Sequence, residues 1–371
     1  MSSPVDWGLA EKVAVRVAGT DPFARSYHYD SLTPDFAELT AEAEELVGRA
    51  TGLRSLAGPA RARVTDRPDW VRANIASFQR LLRPLTDRFG ERLSAGPFSP
   101  VARAVAGAEV GVMLGWMSTR VLGQYDLLVV EEEGDDDQDL VYYVGPNVLA
   151  IEKHHAFPPR EFRLWLALHE VTHRAQFTGI PWLREHFLSL VDQTLSAVDP
   201  DPKRFLDAIG RMAEGLRTGR NPLDDGGIAA LLANDEQREV LDRIAGMMSL
   251  LEGHGDVTMD RAGADRVPSA ERFSGVLRAR RNSARGVSRL FQRLIGLEAK
   301  LNQYEAGEKF IAAVEQEGGP TLVDRAWEGP ENLPTLDEIR APQTWIDRVE
   351  GGGAGSAASA HAADPSGPVS G

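Results

Sequence analysis

Residues 159–179 read PREFRLWLALHEVTHRAQFTG, and this stretch decides the fold. Pro159 suits the first turn of a helix, and Gly179 is typical of the position where one ends. The apolar LWLAL run gives the helix a face that can be buried in a core. His169 and His173 lie four residues apart on one helical face, about 6 Å apart along the axis. This spacing lets two imidazoles converge on one metal ion.

Glu170 follows the first of these histidines and completes a His-Glu-x-x-His pattern. A carboxylate at this position can reach a water molecule beside the ion. Zinc lowers the pKa of such a water from about 16 toward about 7, so Glu170 is predicted to act as its general base near neutral pH. The chain has no cysteine, so any metal must be held by His, Asp or Glu. The pattern therefore predicts a hydrolase with Zn²⁺ as its cofactor.

A catalytic zinc site needs a third protein ligand. Gly179 stands six residues after His173, where one group of zinc enzymes carries a third histidine, so that pattern does not apply. The later segment MMSLLEGHGDVTMD, residues 247–260, places Glu252 and Asp256 four residues apart on one helical face. Glu252 is predicted to bind the metal. Asp256 is predicted to accept the free ring N–H of a ligand histidine.

Two further residues are candidates for stabilising the negative charge that develops on a substrate carbonyl oxygen. They are Tyr304, within EAKLNQYEAGEKF, and His254. A tyrosine beside a helix often packs against it instead, so neither assignment is decided. His254 is also the rival of Glu252 as third ligand, although two residues of separation point their side chains to different sides of a regular helix.

The chain as a whole is predicted to be mainly α-helical with a small β-sheet, an α+β fold. Strands are predicted at 125–133 and 140–152, forming a hairpin around an acidic turn. The second strand is the expected sheet edge along which an extended peptide could lie. Besides the helix of residues 159–178, helices are predicted over 31–50, 69–93, 99–122, 181–197, 201–218, 226–262 and about 286–317.

Three regions are predicted along the chain. Residues 1–95 form an N-terminal helical region and residues 96–350 a catalytic region, although the two could make a single domain. Residues 351–371 read GGGAGSAASAHAADPSGPVSG. This is a low-complexity tail that is expected to be disordered.

The segment 99–122 carries Gly107, Gly111 and Gly115 at four-residue spacing. Such spacing occurs in close-packed membrane helices. A membrane span needs about 20 mostly apolar residues, whereas the uncharged run from Val110 to Thr119 is ten residues long. The segment is therefore predicted to be a core helix whose glycines let another helix approach closely, and no membrane span is expected.

Charge and the N-terminal sequence limit the partners and the compartment. The formal net charge is −14, so the overall basic footprint of a nucleic-acid-binding protein is absent and no nucleic-acid partner is expected. The first residues, MSSPVDWGLAEKVAVRVAG, lack the unbroken apolar core of a signal peptide, so a cytoplasmic location is expected. The oligomeric state is not indicated.

The chain resembles a family of zincin-like metallopeptidases and hydrolases of high-GC bacteria, one branch of which is labelled as associated with coenzyme F-420 biosynthesis. The resemblance implies a zincin-like fold, Zn²⁺ on His169 and His173, and Glu170 as general base. It does not supply a substrate. The matching stretches are VDWGLAEKVA near the start, VLGQYDL at 121–127, VGPNVLAIE at 144–152, HEVTHRAQFTGIPWLREH at 169–186, MSLLEGHGDVTMD at 248–260 and KLNQYEAGEKF at 300–310.

The favoured interpretation is a zinc metallopeptidase or amidohydrolase that cleaves a peptide or amide bond in its substrate. Two alternatives stay open. One is a zinc-stabilised binding or regulatory module without turnover. The other is a hydrolytic step in coenzyme F-420 metabolism, such as amide hydrolysis of a polyglutamyl chain. The net charge of −14 does not support the last, because an anionic substrate would need a local basic pocket.

Overall fold

The computed structural model describes residues 3, 5–21, 23, 26–82, 99–127, 139–196, 235–282 and 297–359. The chain divides into two compact units. The first unit contains residues 1–201 and 255–290, and the second contains residues 202–254 and 291–371. The boundary predicted between residues 95 and 96 lies outside the described residues and stays a prediction.

The described part of the first unit contains most of the helices and the whole sheet. One long helix, Asp235–Gly263, belongs to both units, because its residues 255–263 lie in the first. The elements are, in chain order, α1 Trp7–Ala18, α2 Tyr27–Asp30, α3 Leu32–Thr51, β1 Arg61–Thr65, α4 Arg67–Leu81, α5 Ser99–Ser118, β2 Gly123–Tyr125, β3 Leu140–Val144, α6 Gly145–His155, α7 Pro159–Gly179, α8 Leu183–Ser196, α9 Asp235–Gly263 and α10 Ala270–Asn282.

The second unit combines the first part of α9 with the elements that follow residue 296. Gly307 of the helix Leu297–Gly318 lies against the backbone of Ser249 and Gly253 so closely that a Cβ atom would overlap it. The backbones of the two helices are therefore in direct contact close to Glu252. The elements are α11 Leu297–Gly318, α12 Pro320–Val323, α13 Leu336–Arg340 and α14 Pro342–Ser359, with 3-10 turns at Asp324–Trp327 and Pro330–Asn332.

The sheet has the strand order β1-β3-β2. β3 is central and fully buried, and it pairs in parallel with β1 and antiparallel with β2. The antiparallel pairing predicted for the two strands before and after the acidic turn is therefore confirmed, for β2 and β3. The prediction that the strand starting at residue 140 forms the sheet edge is wrong, because β3 is paired on both sides. Among the described strands, β1 and β2 are the two outer strands, one on each side of β3.

Two local predictions fail for identifiable reasons. The strand predicted over 140–152 ends at Val144, because Gly145 and Pro146 begin α6, and proline favours the first turn of a helix. β1 at Arg61–Thr65 was not expected within the N-terminal region. Its RARVT sequence is short and two of its five residues are arginines, so its strand signal is weak. It forms by pairing with β3, which is remote in sequence.

The other element predictions can be compared directly. The helices predicted at 31–50, 159–178 and 181–197 are confirmed as α3, α7 and α8. Parts of four further predicted helices are observed as α4, α5, α9 and α11, and the rest of 69–93, 226–262 and 286–317 lies outside the described residues. The predicted helix 201–218 and most of the acidic turn also lie outside them. α14 continues to Ser359, into the predicted tail, and residues 360–371 are not described.

α5 packs against α1 through its glycines. A Cβ atom on Gly111 would lie 2.6 Å from the carbonyl oxygen of Ala10, and one on Gly115 would lie 2.5 Å from that of Ala14. Ala10 and Ala14 are themselves fully buried. This confirms that the four-residue glycine spacing serves close helix packing. Within the described residues no helix has the length and apolarity that crossing a membrane requires.

Candidate metal centre

α7 carries both histidines of the pattern, and it is buried on nearly every side. Two fully buried arginines fix it in the first unit. Arg163 donates to both carboxylate oxygens of Glu152 at 2.7 and 2.9 Å. Arg174 donates to Glu44 at 2.7 Å and pairs with Asp139. Buried charges need such partners, because an unpaired charge in a core is costly. The helix that presents the histidines is thus held rigidly.

The two histidines converge on one point. Their Nε2 atoms lie 3.3 Å apart, and their ring planes are nearly perpendicular at 87°. Two nitrogens that bind zinc at about 2.0–2.1 Å, separated by a tetrahedral angle, would be about 3.3–3.4 Å apart. The separation observed between His169 and His173 therefore fits one shared metal ion.

The outer ring nitrogens set the tautomers. Nδ1 of His173 lies 2.9 Å from Oε1 of Gln176, an acceptor, so this nitrogen carries the proton and donates. Nδ1 of His169 faces a carboxylate oxygen of Asp256 at 3.9 Å, which favours the same tautomer. Both Nε2 lone pairs then point toward each other, an arrangement that a cation between them stabilises.

Glu252 completes a three-residue group. One donor atom each from His169, His173 and Glu252 lies within 4.8 Å of the other two. Among the described residues, this is the group of His, Asp and Glu side chains that could hold a metal ion. The Glu252 side chain is buried at 5% exposure. Two imidazoles and one carboxylate, with a fourth position left for water, form the donor set of a catalytic zinc site. The residues present therefore fit the metal that the sequence predicts.

Gly255 lies against both imidazole rings. A Cβ atom at this position would be 3.3 Å from Cε1 of His173 and 3.9 Å from Cε1 of His169. A methyl group at this position would therefore press on the ring of His173, and glycine relieves this contact. The glycine stands between Glu252 and Asp256, which reach the site from two successive turns of α9 because they are four residues apart.

The Glu170 side chain contacts strand β2. Its Oε2 accepts a hydrogen bond of 3.0 Å from the backbone N–H of Tyr125, and its side chain is 8% exposed. The Tyr125 ring is buried as well, and burial, followed by the charge of Asp139, raises the pKa of the phenol. The neutral phenol donates to Asp139, which also pairs with Arg174. The strand beside Glu170 is thus tied to α7.

The structure places the other predicted site residues differently. Asp256 lies beside His169, as the sequence predicts, although 3.9 Å is too long for a direct hydrogen bond. The ring of His254 packs edge-on against Trp327, with centroids 5.2 Å apart, and His254 is not in the three-residue group. Tyr304 lies in α11, and its side chain is outside the described residues. The catalytic roles of His254 and Tyr304 stay predictions.

Sequence reasoning missed Gln176 and Gly255. Gln176 follows His173 by three residues, so it lies on the same helical face, and it is fully buried. A polar residue on the buried face of a ligand helix is the signal that could have identified it. Gly255 has no comparable signal, because the need for a glycine depends on how α9 approaches the rings.

Comparison with known proteins gives one family and one solved structure. A family model for zincin-like metallopeptidases matches residues 5–346. A crystal structure from Chloroflexus aurantiacus, described as a "putative hydrolase with a novel fold", is 30% identical in sequence and superposes with a TM-score of 0.69. The match covers 93% of this chain and 99% of that chain. No curated protein matches the chain. The link to high-GC bacteria and to coenzyme F-420 stays a prediction.

Proposed function

The chain belongs to the family of zincin-like metallopeptidases, and from this premise we propose that it is a zinc-dependent hydrolase of peptide or amide bonds. One observation carries the proposal. His169, His173 and Glu252 present three donor atoms within 4.8 Å of one another, and Glu170 follows the first of them in the same buried helix.

Each of these residues has a distinct role in the proposed reaction. His169, His173 and Glu252 would hold the ion. Bound there, zinc would polarise a substrate carbonyl and lower the pKa of a neighbouring water. Glu170 takes a proton from the attacking water and passes it to the leaving amine. Gln176 holds the tautomer of His173 through the hydrogen bond at Nδ1.

An extended peptide is the substrate class that the sheet favours. A peptide can add to a sheet edge through main-chain hydrogen bonds. β2 is one of the two outer strands of the described sheet, and Glu170 accepts a hydrogen bond from its Tyr125 N–H. A peptide held beside Glu170 would present its carbonyl groups close to the base, while the N–H of Tyr125 stays bonded to the carboxylate. His254 and Tyr304 are the candidates for stabilising the oxyanion.

Metal content tests the ligand set. Purified wild-type protein loaded with zinc and then dialysed should retain about one ion per chain. His173→Ala and Glu252→Ala should lose it, because each removes one of three ligands. Glu239→Ala is the matched control, since Glu239 is an exposed glutamate on the same helix as Glu252. Retention of zinc by Glu252→Ala would show that Glu252 is not a metal ligand.

Turnover is tested with Glu170→Gln and a diverse peptide library. The wild-type protein should cleave members of the library, and Glu170→Gln should keep its zinc and lose cleavage by at least about 100-fold. A wild-type protein that holds zinc but cleaves no peptide or amide, while a known zincin cleaves the same library, would favour a zinc-stabilised binding module instead.

A further inference from the structure

The backbone groups on the two sides of β2 can be assigned from its pairing. Leu122 accepts from the N–H of Val144, and the N–H of Asp126 donates to Leu140. Hydrogen-bonded residues alternate along an antiparallel strand. The backbone groups of Gly123 and Tyr125 therefore point away from β3, and the N–H of Tyr125 is directed at Oε2 of Glu170 at 3.0 Å.

Gly123 provides the space that the Glu170 side chain occupies. A Cβ atom built on Gly123 would lie 2.7 Å from both Cγ and Oε1 of Glu170, and 2.9 Å from its Cδ. Real Cβ atoms do not approach other atoms this closely. Gly123 has no positive φ that would otherwise require glycine. The carboxylate thus rests on a bare stretch of backbone between residues 123 and 125.

β2 is anchored from neighbouring elements, so its backbone is a fixed support. Gln124 accepts a hydrogen bond of 2.8 Å from the indole of Trp70 and donates to Asn74 at 3.2 Å. Trp70 is fully buried in a cluster with Val144. On the other side of the strand, Tyr125 is held through Asp139 and Arg174. The missing side chain gives the Glu170 carboxylate room against this backbone, and the fixed N–H donor restricts its rotation there.

We propose that Gly123 and the backbone N–H of Tyr125 form a carboxylate seat that holds Glu170 in its working orientation. Oε2 accepts from the N–H, and Oε1 lies against the bare backbone of Gly123. Gly123 is then a positioning residue that acts through Glu170. This inference rests on the proposed function, because the orientation matters only if Glu170 is the general base.

The seat itself can be tested without any activity measurement. Melting temperatures are recorded for wild type, Gly123→Ala, Glu170→Ala and the double variant, all with zinc removed. Gly123→Ala should lower the melting temperature by several degrees, because its methyl group collides with Glu170. In the Glu170→Ala background the same methyl group enters vacated space, so the loss should disappear. This non-additivity is the expected mark of two side chains that compete for one volume.

The catalytic consequence is tested with zinc-loaded protein and a cleaved peptide. Gly123→Ala should lower kcat by about 10- to 100-fold, the size of effect that a small misplacement of a catalytic group produces. KM should stay within about twofold, and zinc content should equal that of wild type, because no metal ligand is touched. In the Glu170→Gln background, Gly123→Ala should cause no further loss. Gly275→Ala is the control, since a Cβ atom there meets nothing within 4 Å.

The outcomes separate the seat from the proposed function. Additive losses of melting temperature would overturn the seat whatever the protein catalyses. Coupled losses with an unchanged kcat for Gly123→Ala would overturn its positioning role. Failure of the wild-type protein to cleave any substrate is seen without the variants, and it would overturn the proposed function and the positioning role that rests on it. Coupled melting temperatures with a selective loss of kcat would support the inference.

Discussion

At the scale of single residues, the site depends on what the outer nitrogens of its histidines contact. A ligand histidine binds metal through one nitrogen, and the partner of the other nitrogen sets its tautomer and orientation. In this protein the amide oxygen of Gln176 serves His173 at 2.9 Å, and Asp256 faces His169. The amide is neutral and buried, so it fixes the ring without adding charge to the site.

Replacing Gln176 by leucine should weaken zinc binding by about 10- to 100-fold, because His173 loses the acceptor that orients it. Zinc affinity is measured by competition with a chelator of known affinity. Gln193→Leu is the control, since Gln193 lies at an exposed site on α8, where it bonds Ser189. An unchanged dissociation constant for Gln176→Leu would show that the amide does not support the ligand.

The sequence was sufficient to predict the three candidate metal ligands, and it was not sufficient to predict the contacts that position Glu170. His169, His173 and Glu252 were recognisable because helical spacing alone places donors on one face. The hydrogen bond from Tyr125 to Glu170 and the open space at Gly123 were not recognisable. Both belong to backbone atoms of a strand that is remote in sequence, and no residue-type pattern encodes such a contact.

At the scale of elements, glycine spacing determines how helices approach. Gly111→Ala should lower the free energy of unfolding by about 1–3 kcal/mol, because its methyl group would lie 2.6 Å from the carbonyl oxygen of Ala10 and force α1 away from α5. Urea denaturation measures the effect. Gly275→Ala, on the open side of α10, should be neutral or stabilising by up to about 1 kcal/mol. Equal stability of the two variants would contradict the close packing of α1 and α5.

The start of α13 provides a pH-dependent contribution. Thr335 and Glu338 form a capping box, and Arg348 donates to both oxygens of Glu338 at 2.6 and 3.0 Å. Burial acts to raise the pKa of Glu338, but the bonds from Arg348 and Thr335 outweigh it, so the pKa lies below its ordinary value of 4.5. A lowered folded-state pKa stabilises the fold above the unfolded-state value, and this stability is lost as the pH falls through the folded-state value.

Glu338→Gln should therefore destabilise the protein by about 1 kcal/mol at pH 7, because it removes a charged cap. The difference from wild type should shrink as the pH falls below 4.5, where the wild-type carboxyl also becomes neutral. Urea titrations at several pH values measure this. A difference that stays constant down to pH 3 would show that the charge of Glu338 is not what stabilises α13.

Helices and strands were predictable where the local sequence alone marks their start, end and buried face. α7 was predicted almost to its ends, because proline, glycine and a buried apolar face all mark it. β1 and the early end of β3 were not, because they depend on pairing and on a proline that starts a helix directly after a strand. Strand pairing is a non-local property, and a five-residue strand with two arginines carries little local evidence of it.

At the scale of the whole molecule, metal binding is linked to stability. An ion that binds the folded chain and not the unfolded chain stabilises it, by about 2.7 kcal/mol when free zinc is at one hundred times its dissociation constant. A strong chelator should therefore lower the melting temperature of wild type. It should leave His173→Ala unchanged, because that variant binds no zinc. Equal shifts in both proteins would show that the chelator acts at some other place.

The order of the elements along the chain has a consequence for biosynthesis. The three strands span residues 61–144, and Glu170 follows all of them. The N-terminal part of a chain leaves the ribosome first, so the strand segments have already left the exit tunnel when the segment with Glu170 emerges. The nascent chain therefore presents the support for this carboxylate before the carboxylate itself arrives.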